Sequence, residues 1–453
     1  MMKVSFCTLG CKVNQYETES MREQFVKNGY DVARDGESSD VCIINTCSVT
    51  NVADRKSRQY IRRMKHLNPN ATVVVTGCYV QTDPESVAHI EGVDIIAGTN
   101  EKSRIVEYVN EYMGRHSKEN EPASAPRTAE EHVLSYDEIN GYEDMGTITA
   151  MDSRSRALIK IEEGCDRFCS YCIIPYARGR VRSRSLDSVL TEARGLVEAG
   201  YREIVLTGIN TALYGSDFRG EAEGTDIVTL IEAVSDIEGD FRIRLSSLEP
   251  NVIDVDTAKR LLKCEKLCHH VHLSLQSGSD EVLSRMRRRY DTKQYLEIVS
   301  ALRSEDPEYG ITTDIIVGFP GETEKEFQET MDTARRAGFS KIHVFKYSQR
   351  SGTTAAGMPD QISPDVKAER SGRLSDLSDK LAGDFYDRSI GETRTVLFER
   401  TVEKGSYMEG YTDNYIKVYI DSKSIDTEDI LHKFTKVRLD AVFKDGMKGT
   451  ALL

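Results

Sequence analysis

Three cysteines set the first chemical constraint. Cys165, Cys169 and Cys172 form a C-x3-C-x2-C triplet in the segment EGCDRFCSYCIIPYARGR. Three thiolates this close in the chain can coordinate three irons of a [4Fe-4S] cluster and leave the fourth iron open to another ligand. Zinc is the simpler metal, but no fourth Cys or His lies nearby to complete its tetrahedron. A second set is dispersed. Cys11, Cys47 and Cys78 each follow a short apolar run, one or two residues beyond its end, in KVSFCTLGC, VCIINTC and VVVTGC. If those runs are parallel strands, their exits share one edge of the sheet, where ligands converge, and three thiols there can form a second three-cysteine cluster site. Buried cysteines are also common packing residues, and Cys7 and Cys42, inside the runs, are read that way.

The elements that must position these thiols follow from the hydrophobic pattern. From residue 3 to about 112, short apolar runs alternate with helix-patterned stretches, which implies a parallel sheet covered on both faces. Residues 113 to 150 break that pattern with Pro, Ser, Ala and an excess of acidic residues, as a linker or extended connection would. A second alternating region begins near Ala157 and offers six strands: ALIKIEEG, EIVLTGIN, FRIRLSS, HVHLSLQS, TTDIIVGFP and KIHVFKYS. Six βα units suggest a partial barrel, since a closed TIM barrel needs eight. After residue 388, TRTVLFER, YMEGYTDNYIKVYI and FTKVRLDAVF read as strands of a small β-barrel. The expected class is therefore multidomain α/β. It comprises an N-terminal open parallel sheet (1–113), a linker (114–150), a partial (β/α)6 barrel (151–386) and a C-terminal OB-like barrel (387–453).

The triplet, with the aromatic Tyr171 before its last cysteine, resembles the signature of the radical S-adenosylmethionine (SAM) enzymes. The motifs LGCKVNQYETE, INTCSVTNVADRKSRQ, VTGCYVQ and EGCDRFCSYCIIPYARG resemble the methylthiotransferase branch of that superfamily, and the C-terminal strands resemble its TRAM domain. Within the branch, GCKVNQYETE together with GYTDNYIKV is most similar to the subfamily that methylthiolates carbon 2 of N6-threonylcarbamoyladenosine at tRNA position 37, beside the anticodon. Two sister groups act on N6-isopentenyladenosine in tRNA or on an aspartate of a ribosomal protein. The resemblance implies two [4Fe-4S] clusters and two SAM molecules per turnover. Cys165, Cys169 and Cys172 would hold the cluster that cleaves SAM to the 5'-deoxyadenosyl radical, and Cys11, Cys47 and Cys78 the auxiliary cluster that supplies sulfur. It also implies an electron donor such as flavodoxin or ferredoxin, and cluster-assembly or sulfur-donor machinery. Around the first cluster, Tyr171, Gly208 in LTGIN, and Ser274 and Gln276 in HLSLQSG are candidates for SAM contact. The last two alternate onto one face of a strand.

Two other groupings are weaker. Cys264, Cys268, His269, His270 and His272 lie close in sequence, but strand alternation places His269 opposite His270 and His272, so they are not read as a third metal site. Tyr407, Tyr411, Tyr415 and Tyr419 recur every four residues and are read first as packing and second as RNA contact.

A formal net charge of -14 argues against a nucleic-acid partner until it is distributed along the chain. Residues 55–65 carry +6, and residues 178–184 and 285–289 carry +4 each, which leaves -28 for the remainder. Arg55, Arg58, Arg62 and Lys65 share a helical face just after Cys47, and Arg180, Arg182 and Arg184 follow Cys172. These residues are the candidate tRNA track, with affinity expected to fall as salt rises. The 39% hydrophobic and 30% charged composition excludes chain-wide disorder, no apolar run is long enough to span a membrane, and the chain is read as cytoplasmic. An electron carrier is the reading from another class, and it would normally ligate each cluster with four cysteines. An RNA-binding protein with a structural metal is the third reading, which iron and sulfide analysis would separate.

Overall fold

A computed structural model of the chain describes residues 1–34, 36–116, 128–151 and 153–452, with the backbone alone at Asn51. Residues 117–127 of the expected linker lie outside the described residues. The fold divides into two compact units. The first comprises residues 1–148, 162–184 and 348–356, and the second comprises residues 149–161, 185–347 and 357–453.

The first unit is built on a parallel sheet of β1 (Lys3–Thr8), β2 (Asp31–Val32), β3 (Val41–Thr46), β4 (Thr72–Gly77), β5 (Ile95–Ala97) and β6 (Glu130–His132), in the order β2-β1-β3-β4-β5-β6. Its central strands read as nearly continuous apolar runs because both faces are covered. Ile43 and Val74 pack on one face with Met21 and Phe25 of α1 (Lys12–Lys27). Cys42, Ile44, Val73 and Val75 pack on the other with Ile61 of α2 (Asn51–Leu67). Cys42 is thus a core residue, and Cys7 packs against the same cluster. Edge strand β6 pairs with β5 and comes from the stretch read as a connection; its sequence, EEH, has none of the apolar, β-branched character that marks a strand.

In the second unit, β7 (Arg156–Lys160), β8 (Glu203–Thr207) and β9 (Arg242–Leu245) form one parallel group, and β10 (His270–Leu273), β11 (Gly310–Val317) and β12 (Lys341–Lys346) form another. A parallel bridge from Ile243 to Leu267 and the short strand Ser247–Leu248, paired with His272 and Leu273, connect the groups. These are the six strands expected of a partial (β/α)6 barrel. Their outward residues, such as Ile204, Ile243, Val271, Ile311 and Ile342, pack under the helices in one core.

The chain then forms a closed barrel of β13 (Thr393–Val402), β14 (Tyr407–Thr412), β15 (Lys417–Asp421), β16 (Phe434–Phe443) and β17 (Gly446–Ala451), ordered β13-β14-β15-β17-β16. A five-stranded barrel agrees with the OB-like expectation, with β17 added. Between the two barrels, Glu203 is fully buried and accepts from Arg242 Nε at 2.6 Å and from Arg244 Nε at 2.8 Å, while Arg156 Nε lies at 3.2 Å. Arg242 and Arg244 also donate to the carbonyls of Tyr411, Thr412 and Asp413, and the Arg156 guanidinium lies 4.6 Å from the ring centre of Tyr411 and that of Arg244 4.6 Å from the ring centre of Tyr415. Those two tyrosines therefore serve packing. No helix among the described residues is long and apolar enough to cross a membrane.

Candidate functional site

The three dispersed cysteines leave the same edge of the first sheet. Cys11 immediately precedes α1, Cys47 follows β3, and Cys78 opens the short helix α3 (Cys78–Thr82) directly after β4. Cys11 reaches the surface, Cys47 is half-buried and Cys78 is buried. Their charges act on one another, as they must when thiols crowd a single site.

Two glycines permit that approach. Gly77 has φ +99°, and a Cβ there would stand 2.5 Å from the Thr46 carbonyl oxygen. A Cβ on Gly10, at φ +120°, would stand 2.9 Å from the Cys47 Cβ. Gly77→Ala is expected to cost about 1–3 kcal/mol of backbone strain before the clash is counted. It should separate Cys78 from Cys47, which would lower both the denaturation midpoint and the iron retained after anaerobic reconstitution.

Polar side chains fix the loops that carry the thiols. The Asn14 amide donates to the carbonyls of Leu9 and Thr46, at 2.7 and 2.9 Å. Ser57 Oγ donates to the Cys47 carbonyl at 3.5 Å, and Arg350 donates to Ser48 Oγ at 2.6 Å and pairs with Asp54. Burial pushes the Cys47 thiol up to about 11, the nearby Cys78 adding to it. Buried thiols of this kind ionise only against strong positive charge, which a metal site supplies. The donor set therefore fits a three-thiolate iron–sulfur cluster.

The C-x3-C-x2-C segment belongs to the same compact unit. Its ends are held by a two-stranded antiparallel ladder of Glu162–Glu163 with Arg182–Ser183, and the Cys165 amide donates to the Gly179 carbonyl at 3.0 Å. Within the loop the Cys172 amide donates to the Cys169 carbonyl at 2.9 Å, and the Ala355 amide binds the Ser170 carbonyl at 2.7 Å. Burial holds the Cys165 thiol well above its usual range, opposed by a hydrogen bond from the Arg167 backbone and reinforced by Cys172. These three thiols likewise suit a cluster with one open iron. After the loop, α4 (Ile174–Arg178) packs on α3 and brings a fully buried arginine, Arg178, to Cys78. Its position six residues beyond Cys172 gave no sign of this, because burial opposite a distant cysteine leaves no local pattern.

Of the SAM candidates, Tyr171 lies in the first unit, whereas Gly208, Ser274 and Gln276 lie in the second. Gly208 sits at the exit of β8. Ser274 and Gln276 share the inward face with His272, opposite the fully buried Leu273 and Leu275. Gln276 adopts φ +65°, and its amide binds the Asp314 carbonyl at 2.8 Å. Sequence reasoning did not rank the buried Glu249, which accepts from Asn210 at 2.9 Å and pairs with Arg288 at 3.3 Å near those same strand exits. His270 and His272 both hydrogen-bond Thr312 Oγ1 at 3.1 Å, and His269 turns away to Asp306 at 2.7 Å. His272 also meets Asp314 at 3.3 Å, with His343 beside them on β12.

The basic runs divide by burial. Arg55 and Arg62 on α2 are exposed, but Arg58 donates to Tyr79 Oη at 2.8 Å and Lys65 to the Ala71 carbonyl at 3.1 Å. Arg180 is exposed. Arg182 is buried on the Arg178 and Arg180 carbonyls and on Glu163, and Arg184 is buried against Tyr16 Oη. Arg182 and Arg184 therefore brace the cysteine loop, and the RNA contact expected of them is corrected on that ground. In the third run, Arg285 pairs with Glu326 at 2.9 Å.

Residues 159–334 match the radical SAM superfamily, and residues 3–98 match the uncharacterized protein family UPF0004. The chain is 42% identical to the threonylcarbamoyladenosine tRNA methylthiotransferase MtaB of Bacillus subtilis, over 97% of this chain and 94% of that protein. It is 38% identical to the Thermotoga maritima protein of the same name, over 92% and 91%. The tRNA-2-methylthio-N(6)-dimethylallyladenosine synthase of Acetivibrio thermocellus is 34% identical over 86% and 79%. Among solved structures, the radical SAM methyltransferase TsrM of Kitasatospora setae aligns with a TM-score of 0.57 at 16% identity, covering 76% of this chain and 75% of that one, a likeness of fold.

Proposed function

The chain belongs to the radical SAM methylthiotransferase family, and from that membership we propose that it methylthiolates carbon 2 of N6-threonylcarbamoyladenosine at position 37 of tRNA. The observation that carries this reading is identity of 36–42% to four proteins bearing the threonylcarbamoyladenosine name, over at least 92% of this chain, against 34–35% over 86–87% for the dimethylallyladenosine synthases. When bound, the two clusters and SAM supply the radical cleavage, the sulfur and the methyl group that no side chain can provide.

The chain's own residues bind and orient. Cys165, Cys169 and Cys172 hold one cluster, and Cys11, Cys47 and Cys78 hold the other. Gly208, Ser274 and Gln276 are the SAM-contact candidates of the second unit, and Tyr171 is the candidate within the C-x3-C-x2-C loop of the first. Arg55, Arg62 and Arg180 contact RNA phosphates, while Arg58 and Lys65 keep their positions on α2 through internal bonds. As domain limits we take 1–113, 151–386 and 387–453, with 114–150 as the linker between the first two. A low-potential electron carrier and a sulfur-donating partner complete the system, and tRNA as substrate implies the cytoplasm.

Mass spectrometry of tRNA nucleosides from cells with and without the gene tests the reading. Loss of 2-methylthio-N6-threonylcarbamoyladenosine is expected. Loss of the isopentenyl derivative instead would move the chain to the sister activity.

A further inference from the structure

Arg178 stands at an unusual junction. It is fully buried, and its guanidinium is held on three sides. Nη1 pairs with Glu17, Nη2 donates to Glu17 Oε2 at 3.1 Å and to Asn14 Oδ1 at 2.5 Å, and Nε points at Cys78 Sγ, 3.3 Å away. Glu17 is shared with Lys102, also fully buried, at 3.2 Å. Lys102 is anchored on the Thr99 carbonyl, while Thr99 Oγ1 binds the Ala177 carbonyl at 2.8 Å, next to Arg178. Two buried cations thus face one buried anion, and the surplus positive charge lies against the sulfur of Cys78. The planar fork cannot rotate toward another acceptor without breaking its bonds to Glu17 and Asn14.

We infer that Arg178 is a positioning residue of the auxiliary site. Its fixed Nε–H donates to the Cys78 sulfur and holds the reduction potential of the cluster bound there above the value the cysteine ligands alone would set. This rests on the reading that Cys11, Cys47 and Cys78 ligate that cluster. The physical cause is simple: reduction adds negative charge, and a nearby buried cation with a hydrogen bond to a ligand sulfur favours the more negative state. Glu17 acts in the opposite sense through its own negative charge.

The test uses the full chain carrying Cys165→Ala, Cys169→Ala and Cys172→Ala together, reconstituted anaerobically so that the auxiliary cluster alone is present. Its potential is read by titration monitored by electron paramagnetic resonance. Adding Arg178→Gln is expected to shift the midpoint to a more negative value and to speed cluster loss to a chelator by roughly 10–100-fold. Arg178→Lys, which keeps the charge without the fork, should recover part of the potential. Glu17→Gln, which retains Arg178, should shift the midpoint the other way, and it keeps the inference testable if Arg178→Gln fails to fold. An unchanged midpoint in Arg178→Gln, or in Glu17→Gln, overturns the role of Arg178 while leaving the ligand assignment intact. A parent protein that takes up no iron overturns the ligand assignment and the inference with it.

Discussion

Cys47→Ala protein, reconstituted anaerobically, is expected to hold roughly half the iron and sulfide of the parent, as one of two four-iron clusters is lost. It should still cleave SAM reductively and make no methylthiolated nucleoside. The expectation follows from where the thiols sit. Cys47 follows β3, between the exits of β1 and β4, and its removal leaves Cys11 and Cys78 as a two-thiol site. The C-x3-C-x2-C loop is closed by its own ladder and by the Ala355 amide, so its cluster does not depend on Cys47. Iron and sulfide analysis, 5'-deoxyadenosine release and nucleoside mass spectrometry read the three outcomes separately. Full iron content in Cys47→Ala protein, or formation of the methylthiolated product by it, would contradict the ligand assignment.

Glu203→Ala is expected to destabilise the second unit strongly. Glu203 is the carboxylate that meets all three of Arg156, Arg242 and Arg244, and its removal strands buried guanidinium groups. Breaking a buried pair in this way costs about 3–5 kcal/mol, enough to consume much of a domain's stability. Denaturant unfolding monitored by circular dichroism would show it, and a loss below about 1 kcal/mol would refute the role assigned to this carboxylate. The pH dependence has a definite sign. Burial by itself would raise the Glu203 carboxyl, but Arg244, Arg242 and Arg156 overcome it and hold the group well below the usual range. Its contribution is therefore complete above the unfolded value of about 4.3 and is lost as pH falls through the depressed folded value. Wild-type protein should lose this increment in acid, whereas Glu203→Ala protein has none to lose.

Much of the scaffold was legible in the residues. The six strands from Arg156 to Lys346 announced themselves because each is a compact apolar or alternating run between helix patterns. The cysteine sets were legible for a different reason: parallel strands send their exits to one edge, so a thiol after each run implies convergence. What escaped notice was decided by partners distant in sequence. In β17, Gly446 and Gly449 dilute strand propensity, and the strand exists because β15 and β16 provide ladders on both sides. The segment RIRL alternates charge and hydrophobicity like a strand with one wet face, yet Arg242 and Arg244 are buried on Glu203. Likewise Arg182 and Arg184 look like phosphate ligands when counted as charge and are structural when their carbonyl, carboxylate and phenol partners are seen.

The threading of the chain bears on the order of assembly in the cell. The first compact unit uses residues 1–148 but is completed only by 162–184 and 348–356. After Ile148 emerges, a ribosome must add about 200 residues, roughly 10–40 s of synthesis at about 5–20 residues per second, before the last of those segments exists. During that interval Cys11, Cys47 and Cys78 have been made and Arg178 follows about 30 residues after Ile148, but Arg350 arrives only near its end, so domain-by-domain folding cannot finish this unit. The segment that follows Cys47 therefore receives its Arg350 contacts to Ser48 and Asp54 only after most of the chain has been made.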